Sequence, residues 1–169
     1  MSSNTVSTAP TPTGRASRGP SGPVLIGIVY GVCVLGLSLM MVAEILWGAK
    51  DAHRSEGPIE SLQGILPFGT IGLLLAVVPA LFLRKSDQGS KIGAIVYGAL
   101  AVPALVFFWC GLPGIFGATA AWLAGVTPDR PAQPGVARVF GVLGLCLAVL
   151  NPIVTIFGVG IAAFTQDIY

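Results

Sequence analysis

Long apolar stretches alternate with short polar ones along the whole of this chain. Charge is absent from residues 19–43, 61–83, 92–128 and 139–166. A bilayer core about 30 Å thick takes about 20 apolar residues to cross as a helix. Each of the four runs reaches that length. The pattern predicts an all-α integral membrane protein, a four-helix bundle spanning 24–169. Its helices are expected at about 24–48, 65–83, 92–112 and 139–164.

The third run is too long for a single crossing. One helix from Ile92 to Gly125 would reach roughly 51 Å at 1.5 Å per residue. Pro113, inside Cys110–Gly114, predicts a break, because proline removes a helix hydrogen bond and kinks the rod. The remainder, 114–125, is too short to cross. It is expected either at the interface or packed back over the bundle. Asn151–Pro152 predicts a kink in the fourth helix, with the Asn151 amide able to bond across helices. Gly57–Pro58 prevents the first two helices from running together.

Residues 1–23 are rich in Ser, Thr, Pro and Gly and show no periodic apolar face. Such a segment buries too little surface to offset its ordering entropy, so a disordered tail is expected. The apolar run after it exceeds the roughly 7–15 residues of a signal-peptide core, which favours an uncleaved first helix.

Composition narrows the class. The chain is 54% hydrophobic and 9% charged, against about 25% charged in soluble domains. That excludes an ordinary soluble fold. With a net charge of +2 and no basic block, nucleic-acid binding has no electrostatic footprint. Richness in Ala, Gly and Val suits a high-GC bacterium, hence a multi-pass protein of the plasma (inner) membrane. Four crossings would put Arg15, Arg18, Arg84, Lys85 and Lys91 on one side. Lys50, Arg54, Arg130 and Arg138 would fall on the other. The balance is nearly even, but the cluster at 84–91 is the most compact. By the positive-inside rule both termini are then expected in the cytoplasm, with the loops at Glu56 and Ala132 outside.

Candidate chemistry is sparse. Glu44 is the one ionisable acid or base within an apolar helix. At 100° per residue it shares a face with Tyr30, Cys33 and Leu37. It is either a proton- or cation-coupling group facing a cavity, or an anchor at the headgroup layer. Asp51, His53 and Glu56 form a weak candidate metal set in the following loop. Gly27-x3-Gly31 and Gly158-x3-Ala162 permit close helix packing, and Gly117-x3-Ala121-x3-Gly125 repeats the pattern. Ile28-Val29-Tyr30-Gly31 recurs as Ile95-Val96-Tyr97-Gly98, a weak sign of two duplicated hairpins. Cys33, Cys110 and Cys146 are odd in number and sit inside apolar runs, as small buried hydrophobes do.

Val42-Ala43-Glu44-Ile45 resembles the glutamate-bearing first helix of small multidrug-resistance exporters, which are four-helix proteins. The likeness covers these few residues. That family's glycine-rich third-helix pattern is not matched, and its glutamate lies deeper in the membrane. The resemblance implies transport. No hydrolase, zinc or nucleotide motif is present, so neither an enzyme nor a cofactor is expected. The expected role is that of an accessory, scaffold or assembly subunit acting through helix contacts. It would work with a membrane-protein partner or as a homo-oligomer. The alternative is a small coupled transporter or channel subunit, oligomeric, using Glu44.

Overall fold

The computed structural model describes residues 19–47 and 57–166, with side chains through residue 158. Residues 1–18 of the expected tail, and the loop bearing Asp51, His53 and Glu56, lie outside the described residues. Every described element is helical. Helix α1 is Gly22–Trp47, α2 is Pro58–Leu83, and α3 is Asp87–Ala101. A 3-10 segment, Pro103–Cys110, follows α3. Helix α4 is Leu112–Leu123, and α5 is Val136–Gln166.

Local chemistry moves several boundaries from their expected places. Helix α2 starts at Pro58 rather than near 65, because Gly57 is extended, Pro58 opens the first turn and Glu60 sits in it. Proline is well suited to that position, and an acid there meets the positive end of the helix dipole. Helix α3 starts at Asp87 rather than 92, where the Ser86 hydroxyl accepts the Gly89 N–H at 3.0 Å, an ordinary N-cap. Gly22 and Pro23, expected in the tail, belong to α1.

The largest departure concerns the third run. It breaks twice. Helix α3 and the 3-10 segment meet at a 72° bend, at Pro103. The chain turns again at Gly111, whose φ of 76° favours glycine. Helix α4 then runs back toward the end of the molecule where α3 began. Four contacts establish the return. Trp122 Nε1 donates to Asp129 at 2.8 Å. Asp129 also accepts the Gly22 N–H at 2.9 Å. Arg130 donates to Ser90 Oγ at 2.8 Å, and the Arg84 guanidinium lies 5.4 Å from the Trp122 ring centre.

The expected four-helix bundle is shown only as far as an all-helical chain with three or four apolar spans. Three helices, α1, α2 and α5, are long and apolar enough to cross a membrane, or four spans if the bent pair counts as one. Of the 12 residues in α4, ten are buried. It is the core of the molecule, not an interfacial segment, and the other helices pack around it. Residues 129 and 130 lie at the same end as Gly22, Arg84 and Ser90, so the expectation that Ala132's loop sits opposite residues 84–91 is corrected. Helix α5 runs parallel to α1, away from that end: Gly141 faces Ala124, Gly144 faces Gly117, and Asn151 faces Gly114. The last described residues of α5 thus lie at the opposite end from Gly22.

The outside of the molecule is greasy. Leu39, Phe82, Val106 and Phe157 are among many large apolar side chains more than half exposed. A soluble monomer rarely exposes such continuous apolar surface. Hydrocarbon surroundings remove the penalty.

Candidate functional site

The chemistry-bearing groups converge where three helices are irregular at one level. In α1 a π-turn occupies Gly31–Gly36. Gly111 ends the 3-10 segment, and Pro152, which has no N–H to donate, lies inside α5. Gly111 packs against Cys33, so these breaks meet. Cys33 lies eleven residues below Gly22, roughly 16 Å along the axis. That is about half the thickness of a bilayer core.

Asn151 holds this node together. Its Oδ1 accepts the Gly114 N–H at 2.9 Å. Its Nδ2 donates to the Phe108 carbonyl at 3.1 Å and to Thr155 Oγ1 at 3.3 Å. Gly114 lies in the first turn of α4, where backbone N–H groups have no helical partner. Phe108 lies in the 3-10 segment before it. One buried amide therefore joins α5 to both sides of the turn at Gly111. Cys33 and Cys110 flank the node, fully buried and reduced. Ser38, just beyond the π-turn, is buried with no partner for its hydroxyl.

Asn151→Leu should strand the Gly114 N–H and the Phe108 carbonyl in an apolar core. Each orphaned group costs about 1–3 kcal/mol. We expect a strongly lowered unfolding temperature in detergent, read by thermal size-exclusion chromatography. An unchanged melting temperature would show that the node is dispensable.

The two repeated tyrosines both bond to α2. Thr70 gives its hydroxyl hydrogen to the Leu66 carbonyl at 2.6 Å. Its oxygen therefore accepts from Tyr30 at 3.0 Å. Tyr97 donates to the Leu75 carbonyl at 2.8 Å. That carbonyl lies four residues before Pro79, which has no N–H to offer it. Tyr97 thus replaces the hydrogen bond that Pro79 removes. Tyr30 is likewise bonded to α2, fourteen residues or roughly 21 Å of helix from Glu44. The π-turn also adds about one residue to the repeat, rotating everything beyond it by about 100°. Tyr30 and Glu44 are both half-buried, and Cys33 and Leu37 between them are buried. Glu44 itself is half-buried near the end of α1, and it has an interaction partner.

The other expected sites fare differently. Among the described residues nothing lies within 4 Å of a Cβ position at Gly27, Gly31 or Gly158, so these glycines meet none of the described helices closely. Ala162's side chain lies outside the described residues. The close approach that the small-residue pattern anticipated occurs instead at Gly117 and Gly144, where a Cβ on either would strike the other's carbonyl oxygen. Among the described residues no group of three or more His, Cys, Asp or Glu could hold a metal.

Two clefts lie on the flanks. One of about 330 Å³ sits between α2 and the bend, against Phe68, Phe107 and Phe116. The other, of about 430 Å³, lies between α1 and α2 beside Met41, Glu60 and Trp109.

At the Gly22 end, Ser21 stands in the cap position of α1, but its side chain makes no capping bond. Asp129 caps that helix from 107 residues away. Burial disfavours its charged form. Hydrogen-bond donors around it outweigh this and hold the carboxyl below the usual range: the Gly22 N–H contributes most, followed by the Thr127 hydroxyl, Asp129's own N–H and the Trp122 indole. A depressed folded pKa means that the stabilisation is present above the unfolded value, about 3.9. It is lost as pH falls through the lower folded value. Asp129→Ala should cost about 1 kcal/mol, as lost caps do. The wild-type advantage over this variant should begin to shrink as pH falls below about 4 and go on shrinking through the lower folded value. Melting curves of both proteins between about pH 2 and 7 check this; an advantage equal at both ends of that range would refute the latch.

No family model, curated protein or solved structure matches the chain.

Proposed function

We propose that the protein is a small, non-enzymatic accessory or scaffold subunit of the plasma membrane, working through its outer helix surfaces. In this reading α1, α2 and α5 cross the bilayer. The bent unit from α3 to α4 is a re-entrant hairpin that enters and leaves on one side. The observation that carries the reading is the buried position of α4. A protein helix fills the centre that a solute path would need, and the Asn151 amide ties its start to the surrounding helices. Polar backbone at mid-membrane depth is tolerated where protein buries it. The surface left for partners includes the open Gly27, Gly31 and Gly158 positions.

The competing transporter reading predicts coupled flux through Glu44. Purified protein in proteoliposomes is expected to move no proton or cation. Glu44→Gln is expected to leave expression and oligomeric state unchanged, since an ion pair within reach of water is worth about 0–1 kcal/mol. Mild-detergent purification from native membranes should retain a stoichiometric membrane partner or a second copy. Proton-coupled flux that disappears in the Gln variant would overturn the scaffold reading.

A further inference from the structure

The two ends of the bundle differ in charge. Arg84, Lys85, Lys91, Arg130 and Arg138 all lie at the Gly22 end, with Asp87 and Asp129. The described residues of the other end include Glu44 and Glu60 and no Lys or Arg. The acids at the basic end are committed to neutral donors or to helix ends. Asp129 accepts from the Gly22 N–H and the Trp122 indole. Asp87 occupies the first turn of α3, where the helix dipole favours an anion. Arg130 is bonded to Ser90. Arg84 and Lys85 lie over the Trp122 and Phe82 rings, 5.4 and 5.1 Å from their centres. A neutral ring does not cancel the charge of the cation above it. Lys91 and Arg138 are exposed one turn into α3 and in the first turn of α5.

We propose that this edge binds the phosphate headgroups of anionic phospholipids in the adjoining leaflet. The ring of four exposed cations, Arg84, Lys85, Lys91 and Arg138, makes the contact. Charge complementarity and position select this occupant. The cations sit where the long apolar helices end, at headgroup depth. Phe82, exposed beneath Lys85, is placed as interfacial aromatics are. A soluble acidic partner would not need the cations at that depth. The inference rests on membrane embedding, but not on the scaffold role. Flux through the protein would overturn that role and leave this one standing.

The test uses purified full-length protein in detergent, offered equimolar phosphatidylglycerol and phosphatidylcholine, with bound lipid counted by native mass spectrometry. A basic side chain near an anionic surface contributes about five-fold in affinity. Phosphatidylglycerol should therefore be retained over phosphatidylcholine by well over ten-fold, and less so in raised salt. The variant Arg84→Gln/Lys85→Gln/Lys91→Gln/Arg138→Gln should bind the two lipids nearly equally. If it does not fold, the pairs Arg84→Gln/Lys85→Gln and Lys91→Gln/Arg138→Gln should each lose part of the preference. Glu60→Gln, at the other end, should keep it. Equal binding by the wild type, or a preference that survives in the neutralised variants, would overturn the proposal. So would displacement of the lipid by millimolar inorganic phosphate, which would mark a site for soluble phosphate.

Discussion

Gly117→Leu is expected to abolish recovery of folded, monodisperse protein, whereas Gly27→Leu should be recovered like the wild type. Both glycines belong to small-residue patterns, and sequence alone ranks them equally. In the structure a Cβ on Gly117 would strike the Gly144 carbonyl oxygen, with the Ala148 N–H behind it. Backbone on the facing helix cannot rotate aside as a side chain can. Forcing in even one methyl separates α4 from α5, and overpacked cores lose about 1–3 kcal/mol. Leucine adds three further carbons at the same place. The seam is also extended: Gly141 meets Ala124 and Gly144 meets Ala120. Separation at Gly117 therefore loosens the whole contact. Gly27 faces open space, so its leucine adds only an outward apolar group. Detergent extraction followed by size-exclusion chromatography separates the outcomes. Equal recovery of both variants would mean that α4 is not packed against α5 as described.

The second large effect is on topology. Reporters fused at residues 88 and 132 are expected to give the same answer, cytoplasmic, and a reporter after residue 166 the opposite one. The bonds from Asp129 to Gly22 and from Arg130 to Ser90 require the first pair to agree. The parallel course of α1 and α5 requires the third to differ. Returning the chain through α4 also changes the charge balance. Arg130 and Arg138 join Arg84, Lys85 and Lys91, and Arg15 and Arg18 precede Gly22 in the chain. Of the nine Lys and Arg, Lys50 and Arg54 alone remain for the other side. A bias that was nearly even for four crossings becomes seven against two, and positive-inside sorting then acts decisively. Opposite answers at 88 and 132 would restore a complete third crossing and refute the re-entrant hairpin.

Membrane class, all-helical character and the approximate extents of α1, α2 and α5 follow from the sequence by itself. Hydropathy is a local quantity that adds along the chain, and a bilayer reads it in windows of about 20 residues. A break in the third run was legible for the same reason, since glycine and proline act on their own backbone, but it was expected at Pro113 and falls at Gly111, and the bend at Pro103 was not legible. The ability of Asn151 to bond across helices was legible too. Its partners Gly114 and Phe108 were not, because they lie 37 and 43 residues away. Tertiary structure alone decided that α4 returns to the end where α3 began, that Asp129 caps α1, and that Gly117 rather than Gly27 is the close-packed glycine. It also revealed the π-turn, which shifts the phase of every residue after Tyr30. These depend on which surfaces meet, and in a chain of interchangeable apolar residues many pairings satisfy the same hydropathy. Shape selects among them: small residues at Gly117 and Gly144 let two backbones touch, and a buried amide accepts few neighbours.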